Sequence, residues 1–291
     1  MKIFSDERLI NLGIISGTAS RETGSGREKE NSDKLFSALN IPPQKILGLK
    51  QVHGDKIISI LNETDLEAYR AQKEHEADGW ILGLKGTGVM ILTADCVPLY
   101  IWDKRGDFIS LCHCGWRGVA ALMPAKAAKL LKEKAGPGAE LCAYIGPHIN
   151  ACCFEVKEDA AQQFDAACVI RKDGRIFVDL TAEIVRQLKQ CGVKTEDIKS
   201  PCSCEALAAI DGTVVAGLER NFRFLAAVGT GGHEHFLVGA AGGLAGCAAF
   251  GATLGFVLEA LLGVKFLLAG GEHELGATVL AYQSLVLIHV F

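Results

Sequence analysis

The chain has 291 residues, a formal net charge of -4 at pH 7 and an isoelectric point near 6.1. This charge supplies no basic field for nucleic acid, so a small-molecule partner is expected instead. Eleven scattered cysteines, an odd number, and a charged N-terminal stretch without a secretory leader favour free thiols and a cytoplasmic location.

Four segments have helical patterns. The polar, Gly- and Ser-rich residues 16–32 predict a loop, and residues 32–43 predict a short helix that is capped by Ser32 and ends before the Pro42–Pro43 pair. Further helices are predicted over residues 123–136, 157–168 and 180–192. Gly192 stands where the last of these helices should end.

Apolar runs between the helices predict strands. These runs cover residues 56–61, 78–82, 88–96, 99–103, 107–114 and 140–146. Because the strands follow one another and do not alternate strictly with helices, the sequence predicts an α/β fold. Its mixed sheet has helices packed outside it and is not doubly wound and parallel.

The C-terminal part of the chain has a different composition. From 236 to 264 the only charged residue is Glu259, and this length exceeds the ~20 apolar residues that a membrane-spanning helix needs. A buried Gly/Ala-rich segment and a terminus altered by a reading-frame change are the competing interpretations. We therefore divide the chain into a domain over 1–230 and a divergent segment over 231–291, with membrane insertion possible but not favoured.

Residues able to bind a metal stand at three predicted strand ends, each beside a Gly or Pro that turns the chain. They are His53, Cys96 and His113. Two imidazoles and one thiolate suit zinc, and three protein ligands leave a fourth position open for water or substrate. A structural role is the alternative, because the gaps between these residues match no short metal motif.

The cysteines on either side of His113 have a simpler interpretation. Successive side chains on a strand point to opposite faces, so Cys112 and Cys114 point away from the face that carries His113. We therefore predict that both cysteines face the core as small apolar residues.

A chain of motifs resembles one protein family. KQVHGDKI, ADGWI, TADCVPLYIWD, HCGWRGVAA, YIGPHINACCFEV and VDLTAEIVRQLKQCGV occur in the order and approximate spacing of the laccase-domain, YfiH-like family, formerly described as multicopper polyphenol oxidases. The resemblance covers about residues 10 to 204. It implies an α-β-β-α sandwich whose zinc is bound by His53, Cys96 and His113. It also implies phosphorolysis of adenosine, inosine, guanosine and methylthioadenosine, with adenosine deamination in the same pocket.

Three further residues are candidates for the reaction. Arg117 offers a forked, permanently charged donor for phosphate or substrate, or it is a surface residue. Asp95, next to Cys96, either orients a ligand or moves a proton, or it forms a turn. His148 contacts either substrate or solvent.

Copper is a weaker hypothesis than zinc. A multicopper oxidase needs several His-x-His pairs, whereas this chain has one, at His233 and His235. One pair cannot assemble a trinuclear copper cluster, so zinc is the expected cofactor.

The resemblance weakens after Cys204. The aromatic-Ser-aromatic-Arg-Arg element of the family is missing, while residues 221–229 offer a last strand in which Arg223 replaces a family arginine. A second interpretation is therefore a catalytically impaired metal-binding protein whose tail serves membrane attachment or oligomerisation. A third is an amidase-like factor for peptidoglycan editing, with Cys96 as nucleophile and His113 as base.

Overall fold

A computed structural model of the chain describes residues 3–19, 25–200 and 284–290. Apolar runs form strands in three sheets, and amphipathic segments form helices between them. The strands are β1 (Ile3–Phe4), β2 (Ile14–Ala19), β3 (Ile46–Leu47), β4 (Ile57–Ile60), β5 (Gly79–Leu82), β6 (Gly88–Thr93), β7 (Val97–Asp103), β8 (Ile109–Cys114), β9 (Leu141–Ile145), β10 (Glu155–Val156), β11 (Val169–Lys172), β12 (Arg175–Val178), β13 (Ile198–Lys199) and β14 (Ser284–Val290). The helices are α1 (Glu7–Asn11), α2 (Lys29–Ala38), α3 (Glu63–Arg70), α4 (Trp116–Ala120), α5 (Met123–Ala135), α6 (Glu158–Ala161) and α7 (Leu180–Gln190).

Both large sheets are mixed. The six-stranded sheet has the order β13-β9-β7-β8-β5-β4, and the five-stranded sheet has the order β1-β2-β14-β6-β3. The pairs β4/β5, β9/β13 and β3/β6 are parallel, whereas the other pairs in these two sheets are antiparallel. A third, three-stranded antiparallel sheet has the order β10-β12-β11. The predicted mixed α/β architecture is confirmed.

Three apolar clusters define the layers. Trp80 and Trp102 of the six-stranded sheet pack with Val89 and Ile91 of the five-stranded sheet, so the two sheets face each other. The outer face of the six-stranded sheet packs against α5 and α7. The outer face of the five-stranded sheet packs against α2. This α-β-β-α sandwich is the layering that the resemblance implies.

The helix predictions are right for two segments and wrong in detail for two others. Helices α5 and α7 match the predictions, and Gly192 has a positive φ of 78° beyond the end of α7. Ser32 is not a helix cap, because α2 begins earlier and the Ser32 hydroxyl donates to the carbonyl oxygen of Gly26 at 3.0 Å. The helix predicted over 157–168 is broken, because the Asp165 carboxylate accepts from the backbone N–H of Ala167 and starts a separate 3-10 turn.

The described residues belong to one compact unit, which comprises Met1–Gly212 and Tyr282–Phe291. A second unit, Thr213–Ala281, lies outside the described residues. Strand β14, from the far end of the chain, pairs with β2 on one side and with β6 on the other.

Several predictions for the C-terminal part fall outside the described residues. They are the apolar segment 236–264, the last strand over 221–229 and the domain boundary at residue 230. Within 3–19, 25–200 and 284–290, no helix has the length and apolar character that crossing a membrane requires.

Candidate metal centre

Strand pairing brings two of the three predicted metal ligands together. In the β7/β8 register Val97 lies opposite Cys114 and Pro98 lies opposite His113, so Cys96, just before β7, reaches the same end of this hairpin. His53 enters from the loop between β3 and β4.

The potential ligand atoms of His53, Cys96 and His113 all lie within 4.8 Å of one another. The His113 side chain is buried, Cys96 is half-buried and His53 is exposed. The cluster therefore opens to solvent on the side of His53.

The loop that carries His53 is attached to the five-stranded sheet through Gln51. The Gln51 side-chain amide donates to the Leu92 carbonyl oxygen at 2.8 Å, and its Oε1 accepts from the Leu92 N–H at 2.7 Å. Gln51 thereby pairs with β6 as a neighbouring strand would. His53 itself has a φ of 58°, in the left-handed region that residues other than glycine rarely adopt.

Asp78 contacts two residues of the cluster, His53 and His113, although the sequence analysis did not single it out. Its side chain is fully buried, and Oδ1 lies 2.8 Å from Nδ1 of His113. The carboxylate also accepts from the backbone N–H groups of Val52, His53 and Gly54 at 3.2, 3.0 and 2.8 Å. A charged residue inside the otherwise apolar ADGWI run was the available signal, since a buried carboxylate requires partners.

The surroundings of Asp78 favour its ionised form. Burial alone would raise the pKa of this carboxyl, but hydrogen bonds from His113 and from the backbone of Gly54 and Val52 outweigh burial and lower the pKa. A carboxylate only accepts hydrogen bonds, so Nδ1 of His113 carries the hydrogen, and Nε2 is the ring nitrogen that a metal could bind.

Two glycines of the GWRG motif allow α4 to approach the cluster. A Cβ at Gly115 would lie 3.1 Å from Cδ2 of His53 and 3.4 Å from Sγ of Cys96. A Cβ at Gly118 would lie 2.8 Å from the carbonyl oxygen of Gly54. The backbone of α4 therefore forms a wall of the site, and side chains at these two positions would push α4 and the His53 loop apart.

Cys112 and Cys114 lie outside the cluster, as the alternation of strand side chains predicted. Both are fully buried and pack in the core between the six-stranded sheet and its helices. Burial raises the pKa of the Cys114 thiol well above its ordinary value, and the neighbouring Cys112 adds to this rise. This environment keeps the Cys114 thiol protonated.

Arg117 and Asp95 are near the residues of the cluster in sequence: Asp95 precedes Cys96, and Arg117 follows His113 by four positions. Arg117 is exposed on α4, and its guanidinium carbon lies 4.4 Å from the ring centroid of Trp116. The Asp95 carbonyl oxygen accepts from the N–H of Ile149 at 3.0 Å, which brings the loop after β9 next to Cys96. Their predicted roles in the reaction stay predictions.

His148 is buried in the loop after β9. Its Nδ1 donates to the Gly146 carbonyl oxygen at 2.7 Å, and its Nε2 lies 2.8 Å from the Thr181 hydroxyl. Burial lowers the pKa of this imidazole, so the ring is neutral and Nε2 accepts from Thr181. Substrate contact by His148 stays a prediction.

The donor set fits a metal ion. Two imidazoles and a thiolate can bind zinc, and the hydrogen bond to Asp78 leaves Nε2 of His113 available as a ligand atom. The exposed side of the cluster leaves room for a non-protein ligand.

Comparisons with known proteins agree with the sequence motifs. Residues 18–208 match the family model described as multi-copper polyphenol oxidoreductase laccase. The chain is 33% identical over 166 residues to a purine nucleoside phosphorylase of Clostridium acetobutylicum, a match that covers 54% of this chain and 66% of that protein. It is 29% identical over 153 residues to a purine nucleoside phosphorylase of Aquifex aeolicus, covering 53% of this chain and 68% of that protein. The chain thus spans about two thirds of the length of these relatives.

A solved structure shares the fold. The hypothetical protein YfiH of Bacillus licheniformis superposes with a TM-score of 0.59 at 21% sequence identity, covering 67% of this chain and 85% of that one.

Proposed function

We propose, because the chain belongs to the multi-copper polyphenol oxidoreductase laccase family, that it is a zinc-dependent purine nucleoside phosphorylase. The substrates would be adenosine, inosine, guanosine and methylthioadenosine, with adenosine deamination as a second activity of the same pocket. Relatives that are named purine nucleoside phosphorylase support the reaction class.

One observation carries this proposal. His53, Cys96 and His113 are separated by 43 and 17 positions in the sequence, yet their ligand atoms converge within 4.8 Å at an edge that is open to solvent. A structural role for His53 would not explain why an exposed imidazole is held in a left-handed backbone conformation next to a thiol.

The residues of the site have distinct tasks in this proposal. Cys96 and the two histidines hold the metal, and Asp78 keeps the proton of His113 on Nδ1. When bound, zinc supplies a Lewis acid that lowers the pKa of water to ~7, which deamination requires. Copper is not proposed, since the chain has one His-x-His pair.

Phosphorolysis needs an anion site beside the ribose. A phosphate oxygen forms a bond to C1′, the bond from C1′ to the purine nitrogen breaks, and the departing base takes up a proton. We assign the phosphate to Arg117, whose guanidinium is exposed on α4, the helix that packs against the cluster.

Product analysis tests the proposed reaction. Incubating the protein with adenosine should release adenine only when phosphate is present, because attack at C1′ requires the anion. Inosine should form with or without phosphate. Chromatographic separation of adenine, inosine and hypoxanthine measures both activities. A metal-loaded protein that forms none of these products would favour the catalytically impaired, metal-binding alternative.

Arg117→Lys tests the phosphate site. Lysine keeps the charge but loses the planar fork, so kcat/KM for phosphate should fall roughly 10- to 100-fold, the equivalent of one charge-assisted hydrogen bond. Metal content should not change. Arg175→Lys, at an exposed arginine of the small sheet, is the matched control. Unchanged phosphate dependence in Arg117→Lys would make Arg117 a surface residue.

A second candidate function is favoured by a specific observation. Asp78, His113 and Cys96 stand in the order carboxylate, imidazole and thiol, with a 2.8 Å contact between the first two. This order is the arrangement of a cysteine nucleophile with an oriented base, as in an amidase-like enzyme that edits peptidoglycan. Amidase activity in zinc-free protein would support this candidate.

A further inference from the structure

We propose that Asp78 is the positioning residue of the metal centre, and that its single carboxylate fixes His53 and His113 relative to each other. This inference rests on the metal site of the proposed function. It concerns residues that lie far apart in sequence, since Asp78 precedes β5 whereas His53 lies in the loop before β4 and His113 lies on β8.

One oxygen atom serves both histidines. Oδ1 of Asp78 lies 2.8 Å from the ring Nδ1 of His113 and 3.0 Å from the backbone nitrogen of His53. The side chains of Asp78 and His113 are 0% and 3% exposed, so water cannot replace this contact. Any displacement of Oδ1 therefore moves both metal-binding residues.

The second oxygen holds the turn on which His53 stands. Oδ2 accepts from the N–H groups of Val52 and Gly54 at 3.2 and 2.8 Å, on either side of His53 and its positive φ. Three consecutive N–H groups thus converge on one carboxylate. Without this acceptor they would lose these hydrogen bonds, and the left-handed conformation would lose that support.

The backbone of Asp78 also forms a hydrogen bond with β8. The N–H of His113 donates to the Asp78 carbonyl oxygen at 2.7 Å, so both the main chain and the ring of His113 are bonded to the same residue. This bond survives substitution of the side chain. A variant at position 78 therefore tests the carboxylate and not the strand contact.

Asp78→Asn removes the charge of the side chain while nearly keeping its shape. Its amide offers one accepting oxygen where four donors converge, and its NH2 group would face N–H donors. Asp103→Asn is the matched control. Asp103 is also buried and accepts from the N–H groups of Phe108 and Arg105 at 2.6 and 3.2 Å, but it lies at the other end of the β7/β8 hairpin.

The experiment measures Zn²⁺ affinity by chelator competition and the Co²⁺ absorption spectrum, with thermal unfolding as a measure of folding. We expect Asp78→Asn to bind Zn²⁺ about 10- to 100-fold more weakly than Asp103→Asn, and its Co²⁺–thiolate band to shift. Should Asp78→Asn not fold, Asp78→Glu, which keeps the charge but displaces the oxygens, should show the same weakening.

Equal Zn²⁺ affinity and identical Co²⁺ spectra in a folded position-78 variant and in Asp103→Asn would overturn the inference and make Asp78 a purely structural residue. Wild-type protein that binds no metal would overturn both this inference and the proposed function. Wild-type protein that binds metal without phosphorolysis would overturn the proposed function alone.

Discussion

Cys96→Ser is expected to lower the affinity for zinc by more than about 100-fold and to remove phosphate-dependent release of adenine. Loss of a hydrogen-bonding partner of a ligand already weakens a metal site 10- to 100-fold, so loss of the ligand itself should exceed that range. Cysteine binds zinc as a thiolate, whereas serine would have to give up a far less acidic proton. With Cys96 replaced, only the two imidazoles would remain as ligands.

The measurement is elemental analysis of purified wild-type and variant protein, together with kcat/KM. Cys191→Ser is the matched control, because Cys191 is also a half-buried cysteine but lies at the C-terminal end of α7. The control should keep about one zinc per chain. Equal zinc in wild type and Cys96→Ser would remove Cys96 from the metal site.

The three candidate metal ligands could be singled out from the sequence because they stand where strands end. His53, Cys96 and His113 each lie beside a Gly or Pro, and the structure brings all three together. The alternation of side chains along β8 likewise separated His113 from the two core cysteines. The alternation uses local geometry, which a sequence carries directly, whereas the grouping of the three residues into one site came from the family motifs.

Asp78 could not be found in the same way. Its importance depends on contacts with residues 25 and 35 positions away, and these contacts exist only once β5, β8 and the His53 loop have come together. The ADGWI run contains a buried charge, but it does not say which donors satisfy that charge. Gly118 likewise could not be singled out from the sequence, because its role is a close approach to the backbone of Gly54.

The predicted helix boundaries were wrong where polar side chains bond to the local backbone in place of the expected helix geometry. Ser32 resembles a helix cap in sequence, yet it lies inside α2 and donates to carbonyl oxygens before it. Asp165 interrupts the helix predicted over 157–168 by accepting from a backbone N–H two residues later. Serine and aspartate side chains bond local backbone groups in several ways, so tertiary packing selects among them.

The most direct test of the metal-dependent site is removal and return of the metal in wild-type protein. Under the proposal the site acts on the substrate only with its metal bound. The rate of phosphate-dependent adenine release by a chelator-stripped protein should therefore fall by more than about 100-fold. Adding about one equivalent of Zn²⁺ per chain should restore it. Full activity in zinc-free protein would contradict this account, because phosphate-dependent adenine release would then not need the metal.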